Sequence, residues 1–205
     1  MEIDDRHVEW AVINRLKVML DTPPRTRFEV TQSFALFTTI LLWTKQRLWI
    51  GCDERFTEKD HRARDLREKL RDASIFDAPW SLSKQRPFST MLDPINTDFE
   101  GMTAEQFIAW LRNAIAHSDG RGRKDGGGSM RPINRPIRGN EASLEGFEIR
   151  FAEARGSSTI LTLCLYRADM IRIGSVLADM FCKALSGNNE FFERDAATAR
   201  IVEAA

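Results

Sequence analysis

Phe-Ala-Leu-Phe-Thr-Thr-Ile-Leu-Leu-Trp occupies residues 34–43 and would be apolar on nearly every face of a helix. It lies within residues 28–50, a segment that predicts one long helix ending at Gly51. Because a helix that is apolar all round must be buried, we expect it to be central or shared with a second subunit. Thr38 and Thr39 interrupt the apolar run, which is also too short to span a bilayer.

Two further segments near this helix also have helical spacing. Apolar residues recur at helical intervals over residues 8–19, and the pattern stops at Pro23 and Pro24, which cannot continue a helix. A third helix begins with a capping signature at residues 57–60, and its narrow apolar stripe consists of Ala63, Leu66, Leu70 and Ala73. Dense, alternating charges surround that stripe, so the outer face of this helix is expected to lie in solvent.

A fourth helix is predicted from its start signal and from its spacing. Residues 103–106, Thr-Ala-Glu-Gln, form a capping box that opens it, and residues 118–120, Ser-Asp-Gly, end it. Its inward face is predicted to consist of Phe107, Trp110, Leu111 and Ala114. The preceding residues, 75–100, contain three prolines and no sustained period, so they predict a long ordered connection. A connection of this length usually has a function or packs over another part of the protein.

The second half of the chain predicts a loop, two strands and a helix. Residues 119–140 are rich in glycine and arginine and contain prolines, which predicts a flexible basic loop. Alternating and β-branched residues at about 144–166 predict a β-hairpin, and residues 170–184 predict a last long helix before a tail at 188–205. We therefore predict a mainly α fold: a single-domain helical bundle with a small β-hairpin inserted before the last long helix.

The composition excludes several classes of protein. Thirty basic and thirty acidic side chains cancel, so any contact with nucleic acid needs a local basic patch. Cys52, Cys164 and Cys182 have no CxxC spacing, which indicates a reducing cytoplasm and neither a disulfide framework nor a zinc site. The acidic N-terminus is unlike an export signal. We expect a cytoplasmic protein with no metal, no cofactor and no membrane partner.

Arg112, Asn113 and His117 place a cation, an amide and an imidazole on the fourth predicted helix. Asn113 and His117 are four residues apart, so they share a helix face and can form a hydrogen bond that fixes the imidazole tautomer. Arg112 and His117 are five residues apart, which is about 140° around the helix axis, so their side chains diverge. They converge if the last turn unwinds or if two copies of the helix meet across a twofold axis.

This set of side chains suits the cleavage of a phosphodiester without a metal. Histidine exchanges protons near neutral pH, and the planar fork of arginine matches phosphate oxygens. RNA cleavage requires such proton transfers together with positive charge on the phosphate in the transition state. A structural interpretation stays open, because the helix macrodipole favours a histidine in the last turn and arginine stems commonly lie along apolar surface.

Residues 111–117, Leu-Arg-Asn-Ala-Ile-Ala-His, resemble the signature of the HEPN superfamily, the higher eukaryote and prokaryote nucleotide-binding domains. In that signature an arginine is followed by a polar residue and, after a short spacer, by a histidine. The resemblance implies a HEPN-like helical bundle and a metal-independent endoribonuclease that acts as a homodimer with its cleft at the twofold interface. It implies Arg112 and His117 as the catalytic pair and Asn113 as their polar neighbour.

The resemblance also implies partners and leaves alternatives open. HEPN proteins act in toxin–antitoxin, antiviral defence or RNA-processing settings, so RNA, a second copy of the chain and a cognate antitoxin or defence protein are the expected partners. Other members only bind nucleotides or RNA, and a structural subunit of a larger complex is a further alternative. One toxin branch is modified on a tyrosine two positions after the histidine, where this chain has Asp119, so that regulation is not expected.

The predicted basic loop follows the candidate site directly. Arg121, Arg123 and Lys124 can grip a phosphate backbone that enters the cleft, although a surface loop with incidental charge explains them equally well. The glycines of this loop do not form a P-loop, because no Gly-Lys-Ser/Thr follows them. Tryptophans can stack on bases, but four of the five lie in predicted helices, so core packing is the favoured interpretation.

Overall fold

A computed structural model describes residues 5–22, 28–50, 61–87, 94–117, 128–137 and 142–186 of the chain. Its helices are α1 (Asp5–Asp21), α2 (Glu29–Ile50), α3 (His61–Arg71), a short 3₁₀ turn (Thr97–Phe99), α4 (Ala104–His117) and α5 (Arg167–Ser186). Its strands are β1 (Ser129–Pro136), β2 (Ala142–Ala152) and β3 (Ile160–Tyr166). The predicted start of the third helix, the predicted end of the fourth and the tail lie outside the described residues.

The long apolar segment forms α2, and the middle of this helix lies in the core. Phe37, Ile40 and Leu41 are fully buried, which confirms that α2 is a central helix. α5 packs closely against it at Gly174, where a Cβ would lie 2.6 Å from Cδ2 of Leu20 and 3.1 Å from Cδ2 of Phe37. The missing side chain therefore lets α5 approach α1 and α2 together. Within the described part of the chain, no helix has the length and apolarity needed to cross a membrane.

The prediction of a mainly α helical bundle with a β-hairpin is wrong. Across the described ranges, five α-helices combine with a three-stranded antiparallel sheet in the order β1, β2, β3, so the fold is mixed α and β. The predicted hairpin is present as β2 and β3, which pair from Gly146 opposite Tyr166 to Ala152 opposite Ile160. The third strand, β1, comes from the segment that was predicted to be a loop.

β1 pairs with the edge of β2 that lies opposite β3. The backbone of β1 pairs with β2 from Ser129 opposite Arg150 to Pro136 opposite Ala142, with one shift of register between Ile133 and Asn134. Pro132 and Pro136 made this strand hard to predict from the sequence, since proline lacks an amide donor and is tolerated in a sheet mainly at an edge. The pairing with β2 therefore prevails over a composition typical of a loop.

One face of the sheet packs against the helices. Ile149 and Leu163 on this face are fully buried. The ring of Phe147 in β2 lies 4.4 Å, centroid to centroid, from the ring of Phe34 in α2. Arg150 lies on the other face and is exposed. This second face is only partly solvated, because Cys164 and Tyr166 on it are buried in a smaller apolar cluster with Ile95 of the connection.

The connection between α3 and α4 is ordered in its described part and covers the outer edge of β3. Asn96 donates from Nδ2 to the backbone oxygen of Cys164 at 3.2 Å and accepts at Oδ1 from the backbone N–H of Cys164 at 2.8 Å. Asp98 accepts at Oδ2 from the backbone N–H of Thr162 at 2.8 Å. These side chains satisfy backbone groups that a neighbouring strand would otherwise satisfy.

Asp169, in the first turn of α5, ties the same connection to the end of β3. Its carboxylate is fully buried and accepts from the backbone N–H of Ser83 at 3.1 Å, from Oγ of Ser83 at 2.7 Å and from the backbone N–H of Tyr166 at 3.2 Å. Arg172 approaches it to 3.6 Å and also donates to the backbone oxygen of Ser81. Burial raises the pKa of Asp169 even though the hydrogen bonds from Ser83 and Tyr166 act in the opposite direction.

Two of the cysteines are buried as free thiols. Cys164 lies in β3 and Cys182 in α5. Burial raises the pKa of both thiols, and that of Cys182 rises to about 12. Since the thiolate is the reactive form, these two side chains act as small apolar residues of the core. Cys52 lies outside the described residues.

Candidate functional site

The candidate site lies on α4, and the predicted capping box starts this helix. Gln106 accepts at Oε1 from the backbone N–H of Thr103 at 3.0 Å, while its own backbone N–H donates to Oγ1 of Thr103 at 3.3 Å. These reciprocal bonds satisfy two donors that have no partner inside the helix. The predicted start of the helix is therefore confirmed.

The inward face of α4 is also the predicted one, because Phe107, Leu111 and Ala114 are fully buried and Trp110 is 4% exposed. The indole N–H of Trp110 donates to the backbone oxygen of Ala152 in β2 at 3.1 Å. Its ring lies 4.8 Å from that of Phe99, edge to face. α4 is therefore held between the connection and the sheet.

Glu105 joins α4 to α3 through two arginines. Its carboxylate forms an ion pair with Arg67 and another with Arg71, in which Nε of Arg71 lies 3.1 Å from Oε2. Burial acts to raise the pKa of Glu105, but the hydrogen bonds and charges of the two arginines outweigh it, so the pKa lies below the usual value.

We expect Glu105→Gln to lower the free energy of unfolding by about 1 kcal/mol at pH 7, because charge-assisted hydrogen bonds to a half-buried carboxylate are lost. A carboxyl whose pKa is lowered on folding stabilises the protein above its unfolded pKa, near 4.5, and loses that contribution as the pH falls through the folded pKa. Urea unfolding at pH 7 and below pH 4 should therefore show a difference that shrinks in acid. Glu100→Gln, at an exposed position, is the matched control; an equal loss there would contradict the role of the ion pairs.

Arg112 and Asn113, which are neighbours on α4, contact one another. Nη1 of Arg112 donates to Oδ1 of Asn113 at 3.0 Å. Helical spacing allowed this amide to form a hydrogen bond with His117, but in the structure its oxygen accepts from Arg112. Asn113 therefore orients the guanidinium and does not set the imidazole tautomer through that oxygen.

His117 is the last residue of α4 and is exposed. Its ring lies parallel to that of Phe151 in β2, with 6.5 Å between the centroids and 20° between the planes. This contact places the imidazole at the sheet side of the helix while leaving it accessible to solvent. An accessible imidazole in a last helical turn is available for proton transfer.

Arg112 points to a different part of the molecule, a pocket of about 490 Å³ between three helices. The described residues that line this pocket are Glu9 of α1, Leu42, Trp43 and Gln46 of α2, and Arg112 of α4. Because α4 is helical through His117, the last turn does not unwind to bring the imidazole round to Arg112. The predicted divergence of the two side chains is confirmed within one subunit.

The proposed substrate-binding residues Arg121, Arg123 and Lys124 lie outside the described residues. Of the later arginines of that segment, Arg135 in β1 forms an ion pair with Glu145, with 2.9 Å between Nε and Oε1. Across the described ranges, no group of three or more His, Cys, Asp or Glu side chains is arranged to hold a metal ion. The expectation that no metal or cofactor takes part stays a prediction.

Glu9 and Gln46 were not predictable as site residues from the sequence, because they belong to no motif and lie on separate helices. For Trp43 the sequence favoured core packing, as it did for the other tryptophans in predicted helices. Trp80 and Trp110 are buried in the core, where they are 1% and 4% exposed. Trp43 is partly buried and also packs against the core, as predicted, and it lines the pocket beside Arg112 as well. The helical spacing of Trp43 and Gln46 was the one signal that these two share a face.

Comparisons with known proteins add no assignment to this geometry. No protein-family model, curated protein or solved structure matches the chain. The function is therefore argued from the side chains of α4 and from their surroundings.

Proposed function

We propose that this protein is a metal-independent endoribonuclease that acts in the cytoplasm as a homodimer and leaves a 2′,3′-cyclic phosphate. The observation that carries this proposal is that one helix, α4, presents both an oriented guanidinium, Arg112 held by Asn113, and an accessible imidazole, His117. The resemblance of residues 111–117 to the HEPN signature supports it.

Each of the three side chains has a role in the proposed reaction. The 2′-hydroxyl of the RNA loses its proton and attacks the adjacent phosphorus, and the bond from phosphorus to the 5′ oxygen breaks. His117 serves either as the base that takes the first proton, with water protonating the leaving oxygen, or as the acid that protonates the leaving oxygen, with water taking the first proton. Arg112 binds the phosphate oxygens as negative charge accumulates on them, and Asn113 is a positioning residue for the guanidinium.

A second copy of the chain is part of this proposal. Because Arg112 and His117 face different sides of α4, a single subunit does not present both to one phosphate. In a twofold dimer, the arginine of one copy can lie opposite the histidine of the other. The cleft at the twofold interface would then contain both groups.

The test is RNA cleavage in the presence of a chelator. We expect the wild-type protein to cut end-labelled single-stranded RNA in excess EDTA and to leave 2′,3′-cyclic phosphate and 5′-hydroxyl ends. Arg112→Ala should lower kcat/KM by about 10²–10³-fold, the cost of removing one transition-state donor. Lys69→Ala, which removes an exposed cation from α3, is the matched control and should cleave normally. Absence of product with wild-type protein, or full activity in Arg112→Ala, would refute the mechanism.

A second candidate function is binding of RNA or of a nucleotide without cleavage. The observation in its favour is the same divergence of Arg112 and His117 within one subunit, which leaves each side chain able to bind but not to act with the other. This candidate predicts tight RNA binding with no product, and little loss of binding in His117→Ala. The EDTA experiment therefore separates the two functions.

A further inference from the structure

The pocket beside Arg112 has the size and the lining of a nucleotide site. Its volume is about 490 Å³, within the range of roughly 300–1,000 Å³ that small-molecule sites occupy. α2 supplies Leu42, Trp43 and Gln46, while α1 and α4 add Glu9 and Arg112. The pocket therefore combines an apolar wall with one anionic, one cationic and one amide group, which is the kind of lining that fixes the orientation of a polar ring.

Trp43 and Trp110 differ in the hydrogen bonding of the indole N–H. The indole N–H of Trp43 is buried and has no hydrogen-bond partner among the described residues, whereas the indole N–H of Trp110 donates to a backbone oxygen. A buried donor without a protein partner is costly and uncommon, and a water molecule or a bound ligand can supply the missing acceptor. The indole also offers a broad flat surface on which an aromatic ring can stack.

The polar groups of the pocket match the Watson–Crick edge of guanine better than that of the other bases. Guanine presents two adjacent donors, N1–H and the N2 amino group, beside the acceptor O6. A carboxylate such as that of Glu9 accepts both donors, and an amide N–H such as that of Gln46 donates to O6. Adenine and cytosine place a ring acceptor next to a single amino donor, and uracil has one N–H between two acceptors, so each would set an acceptor against the carboxylate.

Glu9 already has an interaction within the protein. A carboxylate offers about four acceptor sites, so it can accept hydrogen bonds from more than one donor. Arg112 closes the same pocket, and its guanidinium is the group assigned to the phosphate. A base in the pocket would thus be joined through its ribose to the phosphate that Arg112 holds.

We propose that this pocket binds the guanine of the nucleotide that carries the scissile phosphate, so that the enzyme cuts RNA after guanosine. The inference rests on the proposed endoribonuclease function. Glu9 accepts hydrogen bonds from N1–H and the amino group, Gln46 donates one to O6, and Trp43 stacks on the ring. None of these three residues takes part in the chemical step, so they determine specificity.

Binding of mononucleotides tests the pocket independently of catalysis. Isothermal titration of the full chain with guanosine 3′-monophosphate and adenosine 3′-monophosphate compares two bases that carry the same phosphate. We expect the guanosine nucleotide to bind about tenfold more tightly or better, as a bidentate base contact allows. Glu9→Gln and Gln46→Ala should remove most of that preference, while Gln32→Ala, a matched change about 21 Å away along α2, should retain it. Equal affinity for the two nucleotides, or the same loss in Gln32→Ala, would overturn the inference.

Cleavage of short RNAs with a single guanosine separates this inference from the nuclease function itself. The expected product of wild-type protein ends in guanosine 2′,3′-cyclic phosphate, and Glu9→Gln should cut at other bases with reduced preference but measurable rate. Cleavage by wild-type protein without preference for guanosine would refute guanine recognition by the pocket and leave the nuclease function intact. Absence of cleavage would refute the nuclease function, and the titration would then show whether guanine binds.

Discussion

We expect co-assembled Arg112→Ala and His117→Ala subunits to cleave RNA that neither homodimer cleaves. Loss of the imidazole alone should lower kcat by about 10²–10⁴-fold, the usual contribution of a general acid or base. In a mixed dimer, one subunit still supplies Arg112 and the other still supplies His117. If the two residues act across the twofold axis, one of the two pairs is complete, and about half of the wild-type activity per dimer should return.

The experiment requires mixed dimers of known composition. Co-expression of the two variants with different affinity tags, followed by purification on both tags, isolates them from the two homodimers. Because His117 is exposed and lies at a helix end, His117→Ala should retain the wild-type melting temperature. Mixed dimers as inactive as their parents, beside active wild-type protein, would show that the residues act within one subunit. Equal cleavage by wild type and by His117→Ala would exclude the imidazole from the reaction.

The second large effect is expected at Asp169, where the change concerns stability. Asp169→Ala would leave the backbone N–H groups of Ser83 and Tyr166 and the hydroxyl of Ser83 without their acceptor. Leaving buried donors unsatisfied costs roughly 1–3 kcal/mol for each group, so we expect a loss of about 3 kcal/mol in the free energy of unfolding. Urea unfolding at pH 7 measures it. Asp179→Ala, on the exposed side of the same helix, should cost less than about 1 kcal/mol; similar losses in both variants would contradict the role of Asp169.

The pH dependence at Asp169 provides an independent check. Since burial raises its pKa, the folded protein binds the proton more tightly than the unfolded chain, whose carboxyl titrates near 3.8. The contribution of such a group is fully present below the unfolded pKa and falls as the pH rises through the folded pKa. Relative to Asp169→Asn, which does not titrate, wild-type protein should therefore lose stability between about pH 4 and the raised pKa. A difference that grows with pH across this window would contradict the direction of the shift.

The helices were predictable because their signals are local. The spacing of apolar residues located α2, and the capping box at Thr103 and Gln106 located the start of α4. The buried face of α4 followed from the same spacing, and so did the divergence of Arg112 from His117, since both are properties of a regular helix.

β1 and the pocket were not predictable in the same way, because tertiary contacts create them. β1 has two prolines and no clean alternation, and it is a strand only because β2 lies beside it. Glu9, Trp43 and Arg112 are far apart in the sequence and meet only when three helices pack. The contact between Arg112 and Asn113 also went unpredicted, because neighbouring residues on a helix do not face one another and a long side chain must fold back to reach its neighbour.

The two borders of the sheet have a consequence for self-association. At β3, the side chains of Asn96 and Asp98 occupy backbone groups that an incoming strand would need. At β1, Pro132 and Pro136 remove amide donors. The sheet therefore resists continuation into a neighbouring molecule, which protects the chain against strand-to-strand aggregation and leaves helical surfaces, α4 among them, for a second copy to meet.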